Sequence, residues 1–133
     1  MKKLMSFFAV MLFTASVFAQ TVLTSDPAHS RIQFVVTHLG INDITGNFDT
    51  VSLTVTKNDT DFLQSKFDFT ADINSIDTHV EMRDNHLKSA DFFDAATYSQ
   101  MIFKTTSITK GKQENYYNLN GTLTLHGVTK PVT

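Results

Sequence analysis

The stretch Ser75-Ile-Asp-Thr-His-Val-Glu-Met-Arg-Asp-Asn-His-Leu-Lys-Ser-Ala-Asp-Phe-Phe-Asp94 gathers carboxylates, two histidines and an arginine between runs that alternate like β-strands. Close carboxylates such as Asp77, Asp91 and Asp94, with Arg83-Asp84 beside them, can drive hydrolysis by acid–base chemistry. The same residues also suit structural roles, because Asp opens turns and Arg reaches over helix ends. The structural role is the preferred reading here. His29, His38, His79, His86 and His126 show no pair three or four residues apart, the spacing at which a helix presents two metal ligands. Gly-x-Ser-x-Gly is absent, there is no Cys, and the five Gly are scattered singly. Neither a nucleophile elbow, a thiol nucleophile nor a phosphate-cradling loop is therefore available. The chain reads as a binding protein with no catalytic residue, no metal and no cofactor. An enzyme acting on a lipid, with His38 or the Asp91 region as acid–base, is a weaker third reading.

The block must be held by something. It is too long for a hairpin turn and too mixed for a core, so it reads as a short helix and a folded loop across one end of a β-structure, where single-domain β-proteins often keep binding sites. Thr78-His-Val-Glu81 fits a capping box, which places the helix from about His79 to Lys88. Val80 and Leu87 share one helical face, and Phe92-Phe93 are expected to fold under the block and pin it. Upstream, Arg31–His38 alternates with Ile32, Phe34 and Val36 on one face. Gly40–Asp43 is a turn. Ile44–Thr56 is strand-like, but its apolar parity shifts from even (Ile44, Phe48) to odd (Val51, Leu53, Val55), which requires a bulge or bend near Asp49-Thr50. Residues Phe67–Ile73, Gln100–Thr109 and Tyr117–Leu125 alternate in the same way, with Gly121 relaxing the last of these. The pattern predicts a mainly β fold: an antiparallel barrel or curved sheet with one short helix.

Met1-Lys2-Lys3 followed by an apolar run from Leu4 to Phe18 and small residues before Gln20 reads as a secretory signal peptide, residues 1–19, cut after Ala19. Residues 20–133 form one domain. They carry 9 basic and 13 acidic side chains and no basic cluster, which argues against nucleic acid as a partner. An exported chain without Cys suits the periplasm and rests its stability on burial alone. Twelve Phe and no Trp suit a large dry interior. If the alternating faces close inward, Ile32, Phe34, Val36, Phe48, Phe67, Phe69, Phe103, Leu123 and Leu125 line it, and His38, which shares the parity of Phe34 and Val36, sits near the rim to meet a polar head. The opposing reading is a solid core of the same side chains.

Four ordered segments carry a resemblance: Asp26-Pro-Ala-His-Ser30 with Phe34 and His38; Gly46-Asn-Phe48; Ser75-Ile-Asp-Thr78 through Arg83-Asp84, His86-Leu-Lys-Ser89 and Asp91-Phe-Phe-Asp94; and Gly121-Thr-Leu-Thr-Leu-His-Gly-Val-Thr-Lys-Pro131. Together they resemble the YceI-like, polyisoprenoid-binding proteins. The resemblance implies a lipocalin-like antiparallel β-barrel holding an isoprenoid or similar long amphiphile, often in the periplasm. It departs from the family pattern at Leu23 and Ser25 before Asp26-Pro27, and at Ser99, where the family usually has Pro. The chain stops at Thr133 with about five or six strands read, where a small closed barrel takes about eight, so the barrel is expected to be incomplete at its C-terminus. The expected function is a periplasmic lipid carrier; the alternative is an envelope structural or interaction module with a filled core. The oligomeric state is open, a homodimer included.

Overall fold

Strands pair edge to edge to satisfy their backbone hydrogen-bonding groups and bury an apolar face by packing against a second layer; among the described residues every strand pairing is antiparallel. The computed structural model describes residues 20–133. The expected signal peptide, with its cut after Ala19, lies outside the described residues. The strands are β1 Gln20–Thr24, β2 Ile32–His38, β3 Asn42–Phe48, β4 Val51–Asn58, β5 Lys66–Asp72, β6 Ile76–Asp77, β7 Gln100–Lys110, β8 Tyr117–Leu125 and β9 Val128–Val132, with one α-helix, α1 Glu81–Lys88. They form a six-stranded sheet in the order β1-β4-β5-β7-β8-β9 and a three-stranded sheet in the order β2-β3-β6. The fold is mainly β and antiparallel with one short helix, as the alternation implies.

The parity shift in Ile44–Thr56 turns out to be a break between sheets, not a bulge within one strand. β3 ends at Phe48, β4 begins at Val51, and the two belong to different sheets. The crossing is tied to the β5–β6 turn: the Asp49 amide donates to the Ser75 carbonyl at 3.2 Å, the Thr50 amide to Ser75 Oγ at 3.0 Å, and the Asp72 amide to the Thr50 carbonyl at 2.9 Å. A register shift does occur in β7, between Thr105 and Ser107, opposite Gly121. A Cβ on Gly121 would lie 2.5 Å from the Lys104 carbonyl oxygen and from the Phe103 ring, so that strand position has room only for glycine.

The core sits where the two sheets meet. Phe48, Ala71, Ile73, Ile76 and Ala95 are buried together, and Phe34, Phe69, Leu87, Phe93 and Leu125 pack against them half-buried. The helix differs from expectation. His79 has φ 64°, a left-handed conformation no helix can include, and Val80 is an extended N-cap without a side-chain cap bond. α1 therefore starts at Glu81, and the expected capping box is absent because Thr78 is engaged elsewhere. Phe93 packs beneath the block, 6.1 Å from the Phe48 ring, whereas Phe92 stays about half exposed, so only one of the pair acts as the expected pin.

Candidate functional site

Thr78 organises the block. Its Oγ1 donates to Asp84 Oδ1 at 2.5 Å and its amide donates to the same oxygen at 2.9 Å. Arg83 Nε donates to Thr78 Oγ1 at 2.7 Å, and Arg83 Nη2 to the Thr78 carbonyl at 2.6 Å. Thr78 and Asp84 are both buried. A buried carboxylate is tolerated because it accepts two hydrogen bonds, one of them from a backbone amide that the turn would otherwise orphan. This knot fixes the first turn of α1 against β6. Glu81 and Asp84 in the first turn and His86 and Lys88 in the last complement the helix dipole.

The far end of α1 is closed by the chain folding back. The Phe93 amide donates to the Leu87 carbonyl at 3.0 Å, the Ala95 amide to Lys88 at 3.0 Å, and Ser89 Oγ to the His86 carbonyl at 2.7 Å. These bonds satisfy the terminal carbonyls and set Phe92 against the helix. The His86 ring meets Phe92 edge-on, with centroids 4.8 Å apart, and His86 Nε2 lies 3.5 Å from Asp91 Oδ2.

Between α1 and the β2–β3 hairpin lies an apolar cavity of about 320 Å³, lined by Phe34, Val36, His38, Ile44, Thr78, Arg83, His86, Leu87 and Phe92. Its wall is almost wholly carbon; the polar groups are the two imidazoles, the guanidinium and the Thr78 hydroxyl. Gly46 lets the hairpin approach: a Cβ there would lie 2.4 Å from Phe34 Cζ and 2.8 Å from Thr78 Cγ2. A second cavity of about 420 Å³ lies on the β8–β9 side of Phe92, walled by Phe93, Leu123, Leu125, Val128 and Val132 with His126 and Lys130. Phe92 borders both.

The side chains expected to line one hollow are thus distributed. Phe34, Val36 and His38 share the first cavity, and Leu123 and Leu125 the second. Ile32 and Phe69 line a separate groove with Val51 and Leu53. Phe48 lies in the buried core. Phe67 stands edge-on to Phe62, which in turn contacts Tyr117 at 4.7 Å, and Phe103 covers Gly121. The division follows from the break at Asp49-Thr50, which puts β2 and β4 in different sheets. Thr78, Arg83, His86, Leu87 and Phe92 were not read as lining residues. The one sequence signal for them was the apolar Leu87 and Phe92 inside an otherwise charged block.

Among the described residues, no three His, Asp or Glu side chains gather where a metal ion could bind. The Asp26–His29 pair lies elsewhere, at the start of β2. His29 Nδ1 sits 2.7 Å from Asp26 Oδ2, and this contact, with the Ala28 amide second, holds the Asp26 carboxyl below its ordinary 3.8. Both groups are exposed, and Asp26 also caps the 3-10 turn Pro27–His29, which gives the pair a structural use.

Comparison with known proteins agrees with this architecture. Residues 23–133 match the model of the YceI-like domain. A UPF0312 protein of Vibrio parahaemolyticus is 39% identical over 115 residues, which cover 86% of this chain and 60% of that protein. Protein YceI of Salmonella agona is 37% identical over 135 residues, covering 99% of this chain and 70% of that one. The chain thus spans about three-fifths of the length of its Vibrio relatives. Among solved structures, BcnA of Burkholderia cenocepacia superposes with a TM-score of 0.73 at 29% identity, over 80% of this chain and 66% of that one. A polyisoprenoid binding domain from Saccharophagus degradans shares the fold, with a TM-score of 0.54 at 21% identity, over 77% of this chain and 56% of that one. With the domain match covering both sheets, the helix and the Phe92 loop between them, the chain belongs to the YceI-like family.

Proposed function

We propose that this protein is an exported, non-catalytic carrier that holds a polyisoprenoid or similar long amphiphile. The carrying observation is the pair of apolar cavities that meet at Phe92, one of them rimmed by His38, His86 and Arg83. The tail would occupy the carbon-lined walls, and the polar end would stay at the opening beside the His38 and His86 imidazoles, which can donate to an oxygen acceptor, while Arg83 is committed to Thr78 and steadies the wall. Each five-carbon unit buried is worth roughly 2–4 kcal/mol before ordering costs, so a few units suffice for firm capture. The domain from Saccharophagus degradans gives a precedent for this use of the fold. The apolar leader at residues 1–19 supports export, with the periplasm as destination.

The test is lipid mass spectrometry on the full chain purified from the bacterial envelope, together with titration of a fluorescent prenyl probe. A prenyl or quinone-type lipid near one per protein is expected. Val36→Asp, which sets a charge in the cavity wall outside the buried core cluster, should weaken the probe at least tenfold. Finding neither bound lipid nor probe uptake would leave the filled-core envelope module as the better account.

A further inference from the structure

The β2–β3 hairpin presents Leu39 and Ile41 almost wholly to solvent, at 80% and 87% exposure. The turn makes this choice conspicuous. Leu39 and Gly40 have φ of 53° and 70°, and the Ile41 amide closes on the His38 carbonyl at 3.1 Å. Two successive positive φ values are the requirement of a type I′ turn, where Asn-Gly is the favoured pair. A leucine accepts strain there and gains no burial among the described residues. From Thr37 to Asn42 the tip carries no Asp, Glu, Lys or Arg. Just below it, Thr37 Oγ1 donates to Asp43 at 2.7 Å, which makes a polar collar. The hairpin is also a wall of the first cavity: Val36, His38 and Ile44 line it up to the residue before the tip.

We propose that the Leu39-Gly40-Ile41 tip is a membrane-docking element that seats the cavity mouth on a lipid bilayer. The proposal takes from the carrier reading only the reason for a tip at that mouth, since a water-insoluble ligand is exchanged with a membrane. The partner follows from charge and shape. An uncharged, convex pair of aliphatics offers nothing to an anionic surface or a charged protein, and it inserts into hydrocarbon without moving a formal charge. The collar sits two strand residues back from Leu39 and Ile41, roughly 7 Å at about 3.3 Å per residue. That matches the roughly 5–10 Å to which interfacial apolar faces sink. Insertion therefore stops with Thr37 and Asp43 at headgroup depth. Attachment is transient, because two aliphatic side chains supply about one to two orders of magnitude of partitioning each.

The experiment is flotation of the full chain with neutral phosphatidylcholine vesicles, with and without anionic phosphatidylglycerol, at low and high salt. Wild type should float with neutral vesicles and be insensitive to salt. The L39N/I41S variant should bind at least about 100-fold more weakly, because it removes both aliphatics while installing the residue the turn favours. Its thermal unfolding and its affinity for a detergent-delivered prenyl probe should stay at least as good as wild type. Failure of wild type to float, equal flotation of the variant, or flotation that needs anionic lipid and vanishes in salt overturns the proposal. So does a wild-type dimer that the variant abolishes without any change in vesicle binding, since a second copy would then cover the tip. If flotation depends on the tip and no prenyl probe binds, the carrier reading falls while the docking element stands.

Discussion

Gly46→Ala tests whether the first cavity owes its shape to one missing methyl. In an unstrained strand position, replacing Gly by Ala raises stability by about 0.4–1 kcal/mol through the unfolded chain. Gly46 is buried in β3, and its added Cβ would stand 2.4 Å from Phe34 Cζ and 2.8 Å from Thr78 Cγ2. Carbon contacts want about 3.5–4.0 Å, so the Phe34 ring tip must retreat by roughly an ångström. Thr78 cannot yield, because Asp84 and Arg83 hold it on both sides. Phe34 is backed by the buried Phe48 ring at 5.5 Å, so its free direction is into the 320 Å³ cavity. The sign of the effect should therefore reverse, with a loss of about 1–3 kcal/mol in urea unfolding and a weaker prenyl probe. Shortening the obstructing ring in the double variant Gly46→Ala/Phe34→Leu should recover much of the deficit, with a coupling of about 0.5–3 kcal/mol in the double-mutant cycle. A Gly46→Ala protein as stable as wild type, or a cycle with no coupling, would refute the packing argument.

Asp84→Ala should cost about 2–4 kcal/mol, since the buried Thr78 amide and hydroxyl lose their shared acceptor. Asp84→Asn, which keeps an oxygen there, should recover part of that in the same denaturation assay. For Asp26, whose folded pKa is depressed, the stabilising contact with His29 is complete above the unfolded value of 3.8 and fades as pH falls through the lower folded value. NMR titration should place the Asp26 midpoint below 3.8, and His29→Ala should move it back up. Equal midpoints in the two proteins would remove His29 as the cause.

How far the sequence could be read depended on whether the signal was local. Alternation in Arg31–His38, Gln100–Thr109 and Tyr117–Leu125 located β2, β7 and β8 to within a residue or so, because a half-buried strand writes its faces into the chain with period two. β1 went unread: Gln20–Thr24 is exposed throughout and is held by its register with Thr54–Asn58 of β4, so its partner and not its own pattern makes it a strand. The break at Asp49-Thr50 was legible as a shift of parity, but a bulge and a change of sheet produce the same shift. The capping box failed because Thr78 Oγ1, the acceptor such a box needs, already accepts from Arg83 Nε and donates to Asp84, and the left-handed His79 moves the N-cap on to Val80. The cavities lie beyond such local signals. Parity says which side chains share a face of one strand. It cannot say that β2 and β4 part company, and so it cannot divide Phe34 and Val36 from Leu123 and Leu125.

The placement of polar and apolar groups around the first cavity has a physical logic. The larger aromatics that might have filled the interior, Phe34, Phe92 and Phe93, are only partly covered, while the tightly buried cluster consists of Phe48, Ala71, Ile73, Ile76 and Ala95. A hollow lined by such side chains forfeits packing energy, so its walls need another source of order. The source here is directional. Thr78, Asp84 and Arg83 lock the start of α1, and the Phe93 and Ala95 amides lock its end. Hydrogen bonds fix angles and distances to a few tenths of an ångström, whereas apolar contacts tolerate repacking of similar volume. A rim set by hydrogen bonds and walls made of carbon can therefore keep one shape at the mouth while the interior adjusts to chains of different length. Changes at Val36 or Leu87 should then grade affinity, and changes at Thr78 or Asp84 should decide whether the cavity forms at all.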